Sequence, residues 1–220
     1  MSLEMTNKRL IISWGTKNSR YVDGLARLSN SLRDNADGID FLGFIHEYSV
    51  NAPLHTQHPY AFKYHALKKM IDLGYKRILW LDVSVFAVAP VQPIFDLIEN
   101  NGYFFEGAGC MLGDWCNDIT LNFYGISRNI AKEIPMMQAG FMGFNLDHII
   151  GQTIWNELNI AYQNDLFKGS WDDHRHEQSC ISAILDKHSI PFNPVPEYVQ
   201  YGGIFDKILN EKIIFKCKGL

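Results

Sequence analysis

Arg77-Ile78-Leu79-Trp80-Leu81-Asp82-Val83-Ser84 is a near-continuous apolar run that stops at an acid and a hydroxyl. A run this short, rich in branched and aromatic side chains, predicts a strand buried on both faces. Just upstream, Pro59 stands where a helix can begin, and Phe62, Leu67, Met70, Ile71 and Leu73 fall along a helix that Gly74 ends. Further back, Leu10-Ile11-Ile12-Ser13-Trp14, stopped by Gly15, is a first such strand. Tyr21, Leu25, Leu28 and Leu32 then recur at helical spacing, and a second apolar run covers 41–45. Strands of this kind alternating with helices predict an α/β fold, an open and mainly parallel twisted sheet flanked by helices. Downstream, the pattern predicts a short helix over 93–99, strands over 103–105 and 139–144, helices over 147–162 and 177–187, and a last strand over 212–215. The least regular stretch, 107–122, predicts a mobile loop over a site.

Composition narrows the function classes. A chain of 220 residues with 47% hydrophobic and 20% charged residues can build one real core, which predicts a single domain over 5–220. Met1-Ser2-Leu3-Glu4 before Met5 reads as an expression scar. A formal charge of -4 with no long basic run argues against a nucleic-acid binder held by phosphate neutralisation. No apolar run approaches the ~20 residues that span a bilayer, and the N-terminus lacks a signal-peptide pattern, so a soluble, cytoplasmic protein is expected. Cys110, Cys116, Cys180 and Cys217 lack C-x-x-C spacing and read as free thiols, with Cys110 and Cys116 as the pair for a disulfide if one forms.

In an open α/β sheet, ligands bind beyond the carboxyl ends of the strands. Two candidate segments lie at such ends, Ser13-Trp14-Gly15-Thr16 and Asp82-Val83-Ser84, and a third, Gln138-Ala139-Gly140, is the entry to the strand over 139–144. Strand alternation puts Asp82 and Ser84 on one side, where both oxygens can face a divalent cation or a phosphate. On spacing alone Asp82 serves equally as a turn or cap oxygen. Trp14 reads equally as core or stacking platform, and Trp171 as core or acceptor cleft. Asp172-Asp173-His174-Arg175-His176-Glu177 lacks the H-E-x-x-H spacing of a zinc site, and one of its two aspartates can simply cap the next helix.

Taken together, Pro59-Tyr60-Ala61-Phe62-Lys63-Tyr64 and Gly74 through Ser84 resemble the helix, strand and D-x-D segment of GT-A nucleotide-sugar glycosyltransferases. Gln138 through Asn145 looks like that family's strand beside the donor sugar, and Asp173 through Ser179 resembles its acidic-Gln motif. Within the family the chain is most similar to the small glycosyltransferase domains that chlorella viruses encode for capsid glycosylation. The resemblance implies transfer of a sugar from a nucleotide diphosphate sugar, UDP-linked, to a hydroxyl of a glycan or glycoprotein acceptor. For a viral protein it would place this in the host cytoplasm.

The resemblance also implies roles. Ser13, Trp14 and Thr16 would hold the base and ribose, and Asp82 and Ser84, flanking Val83, would hold Mn²⁺ or Mg²⁺ together with the diphosphate. Lys63, Lys216 and Lys218 would neutralise that diphosphate. Gln138, Ala139 and Gly140 would line the donor sugar, Gly140 allowing close backbone approach. Asp173, His176 and Glu177, with Asp82, would carry the chemistry, binding sugar hydroxyls or exchanging a proton with the acceptor. Two positions depart from the family pattern. Ser84 replaces the second carboxylate of D-x-D, and Lys216 stands where many relatives carry a metal-binding histidine, so the site should lean less on metal and more on lysine. A sugar-phosphate nucleotidyltransferase is an alternative, although Ser13 through Asn18 is a poor version of its Gly-rich basic loop. A non-catalytic nucleotide-sugar-binding module is another.

Overall fold

The computed structural model describes residues 8–16, 18–202 and 211–218. The stretch read as an expression scar lies outside them. The chain runs β1 (Arg9–Trp14), α1 (Ser19–Asn35), β2 (Asp40–Phe44), α2 (Ala61–Asp72), β3 (Arg77–Leu81) and β4 (Val85–Ala87). It continues through α3 (Gln92–Asn101), β5 (Tyr103–Phe104), β6 (Gly107–Met111), α4 (Leu112–Trp115), α5 (Asp118–Phe123) and α6 (Arg128–Ala131). Then follow β7 (Pro135–Met137), β8 (Phe141–Asn145), α7 (Ile149–Gln163), α8 (His176–Lys187), β9 (Val199–Tyr201) and β10 (Phe215–Cys217). Among the described residues, no helix is long and apolar enough to cross a membrane.

The central sheet has the order β2-β1-β3-β8-β5. Its strands carry apolar side chains on both faces, and each face has its own helical layer. Leu10, Ile12, Ile78 and Trp80 point to one side, against Tyr64, Leu67 and Met70 of α2, Ile154 and Leu158 of α7, and Ile181 and Ile184 of α8. Ile11, Leu79 and Leu81 point to the other, against Leu28 and Leu32 of α1 and Ile94, Phe95 and Ile98 of α3. Burying each such side chain is worth ~1.5–3 kcal/mol, which is why these runs become central strands and not surface helices.

The predicted α/β architecture is present, with one strand reversed. β1 pairs in parallel with β2 and β3, whereas β8 runs antiparallel to both β3 and β5. Gly143 allows this insertion: a Cβ there would fall 2.7 Å from Ile98 Cδ1 and 2.8 Å from Phe104 Cβ. The stretch 107–122, expected as a mobile loop, instead forms β6, α4 and most of α5, with β6 paired to β7. Leu112, Cys116, Leu121 and Ala131 make a small core there that packs on Ala183 of α8. The last strand lies at Phe215–Cys217, later than expected, between β4 and β9 in a second sheet. All four cysteines are free.

Candidate active site

The carboxyl ends of β1 and β3 open onto one cleft, and Asp82 is the first residue beyond β3. Its backbone N–H donates to the Gly140 carbonyl at 2.9 Å, which draws the entry to β8 against it. Trp80, two residues back on the same side, donates its indole N–H to Asp82 Oδ1 at 2.8 Å. From α2, the buried Lys63 reaches the same point. Its Nζ lies 2.9 Å from the Ala139 carbonyl, 3.0 Å from Glu177 Oε1 and 3.2 Å from Asp82 Oδ1. An ammonium has three N–H donors, and all three are engaged.

Lys63 is therefore a brace between Asp82 and Glu177 and not, as expected, a cation offered to a diphosphate. Burial works against its charge, but the two carboxylates outweigh burial and hold its pKa above the ordinary lysine range. For Glu177, burial pushes the carboxyl upward while Lys63 pulls against it. Glu177 Oε2 is buried without a hydrogen-bond partner, although Glu177 lines the cleft.

Two hollows meet at Tyr60, Lys63, Asp82 and Ser84. The first, about 270 Å³, is walled by Trp14, Tyr21, His55, Phe62 and Trp80, with Thr16, Glu47 and Val83 at its margins. Trp14 and Phe62 stack at 4.9 Å. The second, about 220 Å³, is lined by Gln138, Ala139, Gly140, Glu177 and Gln178, with Trp171, Arg175 and Tyr201 facing them. Together they reach the size of small-molecule pockets, ~300–1,000 Å³. Tyr60, at the junction, has φ 58° and stacks at 4.9 Å on His176, which has φ 49°. Left-handed backbone at two non-glycine residues costs of order 1–3 kcal/mol each, and such strain tends to collect at ligand sites.

Most of the sequence-predicted residues come together here. Trp14, Thr16, Lys63, Asp82, Val83 and Ser84 line the first hollow, and Gln138, Ala139, Gly140 and Glu177 line the second. Five do not reach either one. Ser13 is fully buried beneath the cleft with its Oγ unpartnered, because alternation turns it away from the mouth of the sheet. Asp173 is exposed on the turn before α8 and does not cap that helix, whose N-cap is Arg175. His176 is buried behind Tyr60, its Nδ1 2.7 Å from the Phe167 carbonyl. Lys216 is buried in the middle strand of the second sheet. Lys218 is exposed, and its backbone N–H donates to the Ser84 carbonyl at 3.1 Å. Sequence reasoning left Tyr60, His55, Arg175 and Tyr201 without a role; Tyr60, directly after Pro59 at a helix start, and Arg175, within the acidic-Gln stretch, lay in segments it had singled out.

The donor set suits a cation only in part. Among the described residues, no group of three or more His, Cys, Asp or Glu side chains could hold a metal ion. Asp82 Oδ1 is committed to Lys63 and Trp80, and Ser84 Oγ accepts from the Cys217 thiol at 3.4 Å. Magnesium-type ions are commonly held by one or two carboxylates, several waters and the phosphates of the substrate. Asp82 Oδ2 and Ser84 Oγ therefore fit an ion that arrives with a diphosphate, not one resident in the free protein.

The segment bearing Trp171, Arg175 and Glu177 is anchored by His174, which is fully buried. Its Nε2 lies 2.8 Å from the Leu166 carbonyl, and its Nδ1 faces the Asn117 N–H at 3.4 Å, an arrangement that suits the neutral ring protonated on Nε2. Burial brings its pKa from 6.5 down to about 4. The folded state thus binds this proton more weakly than the unfolded chain. Stability should be full above pH 6.5 and fall by ~3 kcal/mol as pH drops through this window towards 4. His58 and His65 are displaced the same way by burial and add to the fall. Urea melts across that range should show the decline, and His174→Gln should flatten part of it; an unchanged slope would remove His174 as a cause.

No family model matches the sequence, and no curated protein does. Solved structures do. The structure of a glycosyltransferase involved in the glycosylation of the major capsid of PBCV-1 matches at 13% identity over 96% of this chain and 93% of that one, with a TM-score of 0.53. Mouse xyloside xylosyltransferase 1 matches at 11% identity over 96% of this chain and 97% of that one, TM-score 0.52. The bifunctional glycosyltransferase WbbM matches at 16% identity over 91% of this chain and 41% of that one, TM-score 0.55. The chain accordingly has the fold of the GT-A glycosyltransferases, and it shares that fold over nearly its whole length with the first two.

Proposed function

We propose that the chain is a glycosyltransferase that moves a sugar from a nucleoside diphosphate sugar, a UDP-sugar, to a hydroxyl of a glycan or glycoprotein acceptor. The observation that carries this reading is the continuous cleft, in a glycosyltransferase fold, that runs from an aromatic hollow past Asp82 to the Gly140 and Glu177 hollow. Trp14 is itself only 5% exposed, and the flat faces offered to a base are those of its neighbours in the hollow, the half-buried Tyr21 and Phe62 and the exposed His55. At the waist, Asp82 and Ser84 offer the only protein oxygens we assign to a cation bound together with the diphosphate. Mn²⁺ or Mg²⁺ there would supply positive charge to the departing diphosphate. Gln138 to Gly140 line the donor sugar, and Glu177 lines the same hollow. The acceptor oxygen forms a bond to the anomeric carbon, the bond from that carbon to the phosphate oxygen breaks with its electron pair leaving on UDP, and the acceptor proton passes to solvent water. Lys63 takes no direct part; it fixes both carboxylates.

Titration calorimetry should find no tight Mn²⁺ site in the free protein and should find UDP bound more than tenfold tighter with Mn²⁺ than with EDTA. Asp82→Asn should abolish that difference, about 1.4 kcal/mol or more. An equal Mn²⁺ effect in the variant would remove Asp82 from the site. UDP binding without turnover or hydrolysis of any UDP-sugar would leave a binding module in place of an enzyme.

A further inference from the structure

Arg175 has the surroundings of an anion receptor. Its guanidinium carbon sits 3.9 Å from the ring centre of Trp115 and 3.7 Å from that of Trp171, so it is sandwiched between two aromatic faces. Stacking of this kind strips water from both faces of the guanidinium and leaves only its edge for hydrogen bonds. That edge is unmatched. Among the described residues no carboxylate forms an ion pair with Arg175, although Asp172 and Asp173 precede it closely, and its Nη1 is buried with no hydrogen-bond partner.

The placement supplies the second half of the inference. Arg175 lines the hollow that also holds Gly140, Gln178 and Tyr201. Lys63, the other cation on that wall, is saturated by Asp82, Glu177 and the Ala139 carbonyl. A sugar entering this space therefore meets one unsatisfied positive charge, in a planar fork that matches carboxylate or phosphate. Trp171, 49% exposed, and Tyr201, 47% exposed, flank it with apolar surface. A guanidinium serving only as packing between rings would have its N–H groups in water or on backbone carbonyls; a buried, unmatched Nη1 is costly without a ligand.

We propose that Arg175 binds an anionic group, a carboxylate or a phosphate, on a sugar that occupies this second hollow, making the substrate an acidic sugar. This inference rests on the glycosyl-transfer reading, with the acceptor as the expected bearer of the group. The test uses the full chain and compares anionic with neutral sugars of the same ring. Methyl glucuronide and glucose 6-phosphate are compared with methyl glucoside by ligand-detected NMR, with and without UDP. UDP-glucuronic acid is compared with UDP-glucose by calorimetry.

A tenfold or larger preference for the charged monosaccharides, abolished by Arg175→Gln and not restored by Arg175→Lys, supports the proposal with the group on the acceptor. The same preference seen only between the two UDP-sugars supports it with the group on the donor. Equal binding of charged and neutral probes in both arms overturns it, whatever the variants do. Loss of plain UDP affinity in Arg175→Gln as large as the loss for the acidic probe assigns the guanidinium to the diphosphate and also overturns it. Failure of the wild-type chain to bind UDP at all would instead strike the nucleotide reading, while the monosaccharide comparison still decides the role of Arg175.

Discussion

Replacing Lys63 by methionine is expected to destabilise the protein by ~3–5 kcal/mol, because it leaves Glu177 buried and Asp82 unbraced with no counter-charge. For a chain of this size that corresponds to a fall in Tm of roughly 6–20 °C. The cause should be visible in a double-mutant cycle. Lys63→Met with Glu177→Gln should lose less than the sum of the two single changes, by ~0.5–3 kcal/mol, since the second change removes the orphaned charge. Strict additivity in urea melts would mean that the contact at 3.0 Å is not an energetic pair. UDP affinity in Lys63→Met, measured below its melting range, should fall as well, through the displaced Asp82 and not through any contact of lysine with phosphate.

Gly140→Ala should do the reverse, sparing the fold and damaging the site. Gly140 is not in the left-handed region, and the nearest atom to an added Cβ is Asp82 Oδ2 at 3.6 Å, an ordinary contact. Stability should therefore stay within ~0.5 kcal/mol of wild type, or rise slightly as the unfolded chain loses freedom. The new methyl group, however, occupies the cleft directly beside the carboxylate that faces the donor. A loss of donor affinity of at least tenfold, ~1.4 kcal/mol, is expected in calorimetry with an unchanged melting curve. Unchanged affinity would show that no ligand passes between Gly140 and Asp82.

How much of this was legible in the sequence differs by element. Burial of the strands was, because Leu10, Ile12, Ile78 and Trp80 on one face and Ile11, Leu79 and Leu81 on the other leave no polar side to either run. Strand direction was not: the same apolar pattern serves β3 and β8, which run oppositely, since burial fixes the side chains and leaves the route of the connection open. The stretch 107–122 looked irregular because α4 and α5 are each only a turn or so long, too short for periodicity to register.

The site divides along the same line. Residues at or just beyond a strand end, Trp14, Thr16, Asp82 and Ser84, were placed by position in the chain alone. Lys63 was found, but its role was not, because that depends on Glu177, more than 100 residues away in the chain, which only the fold brings to 3.0 Å. Lys216 was chosen for its place in a motif, yet alternation in β10 turns it into the interior of the second sheet. Arg175 lay inside a stretch the sequence singled out, but its role did not show there, since Trp115, one of the two tryptophans that hold it, is 60 residues away in the chain.

The most direct measurement is a crystal structure of the protein soaked with UDP and Mn²⁺. Density for the base is expected in the aromatic hollow that Trp14 helps to wall, for the diphosphate at Asp82 and Ser84 with one cation between them, and for its terminal phosphate opening towards Gly140. UDP bound elsewhere on the chain, or bound here with no cation at Asp82 Oδ2, would contradict the assignment of this cleft as the donor site.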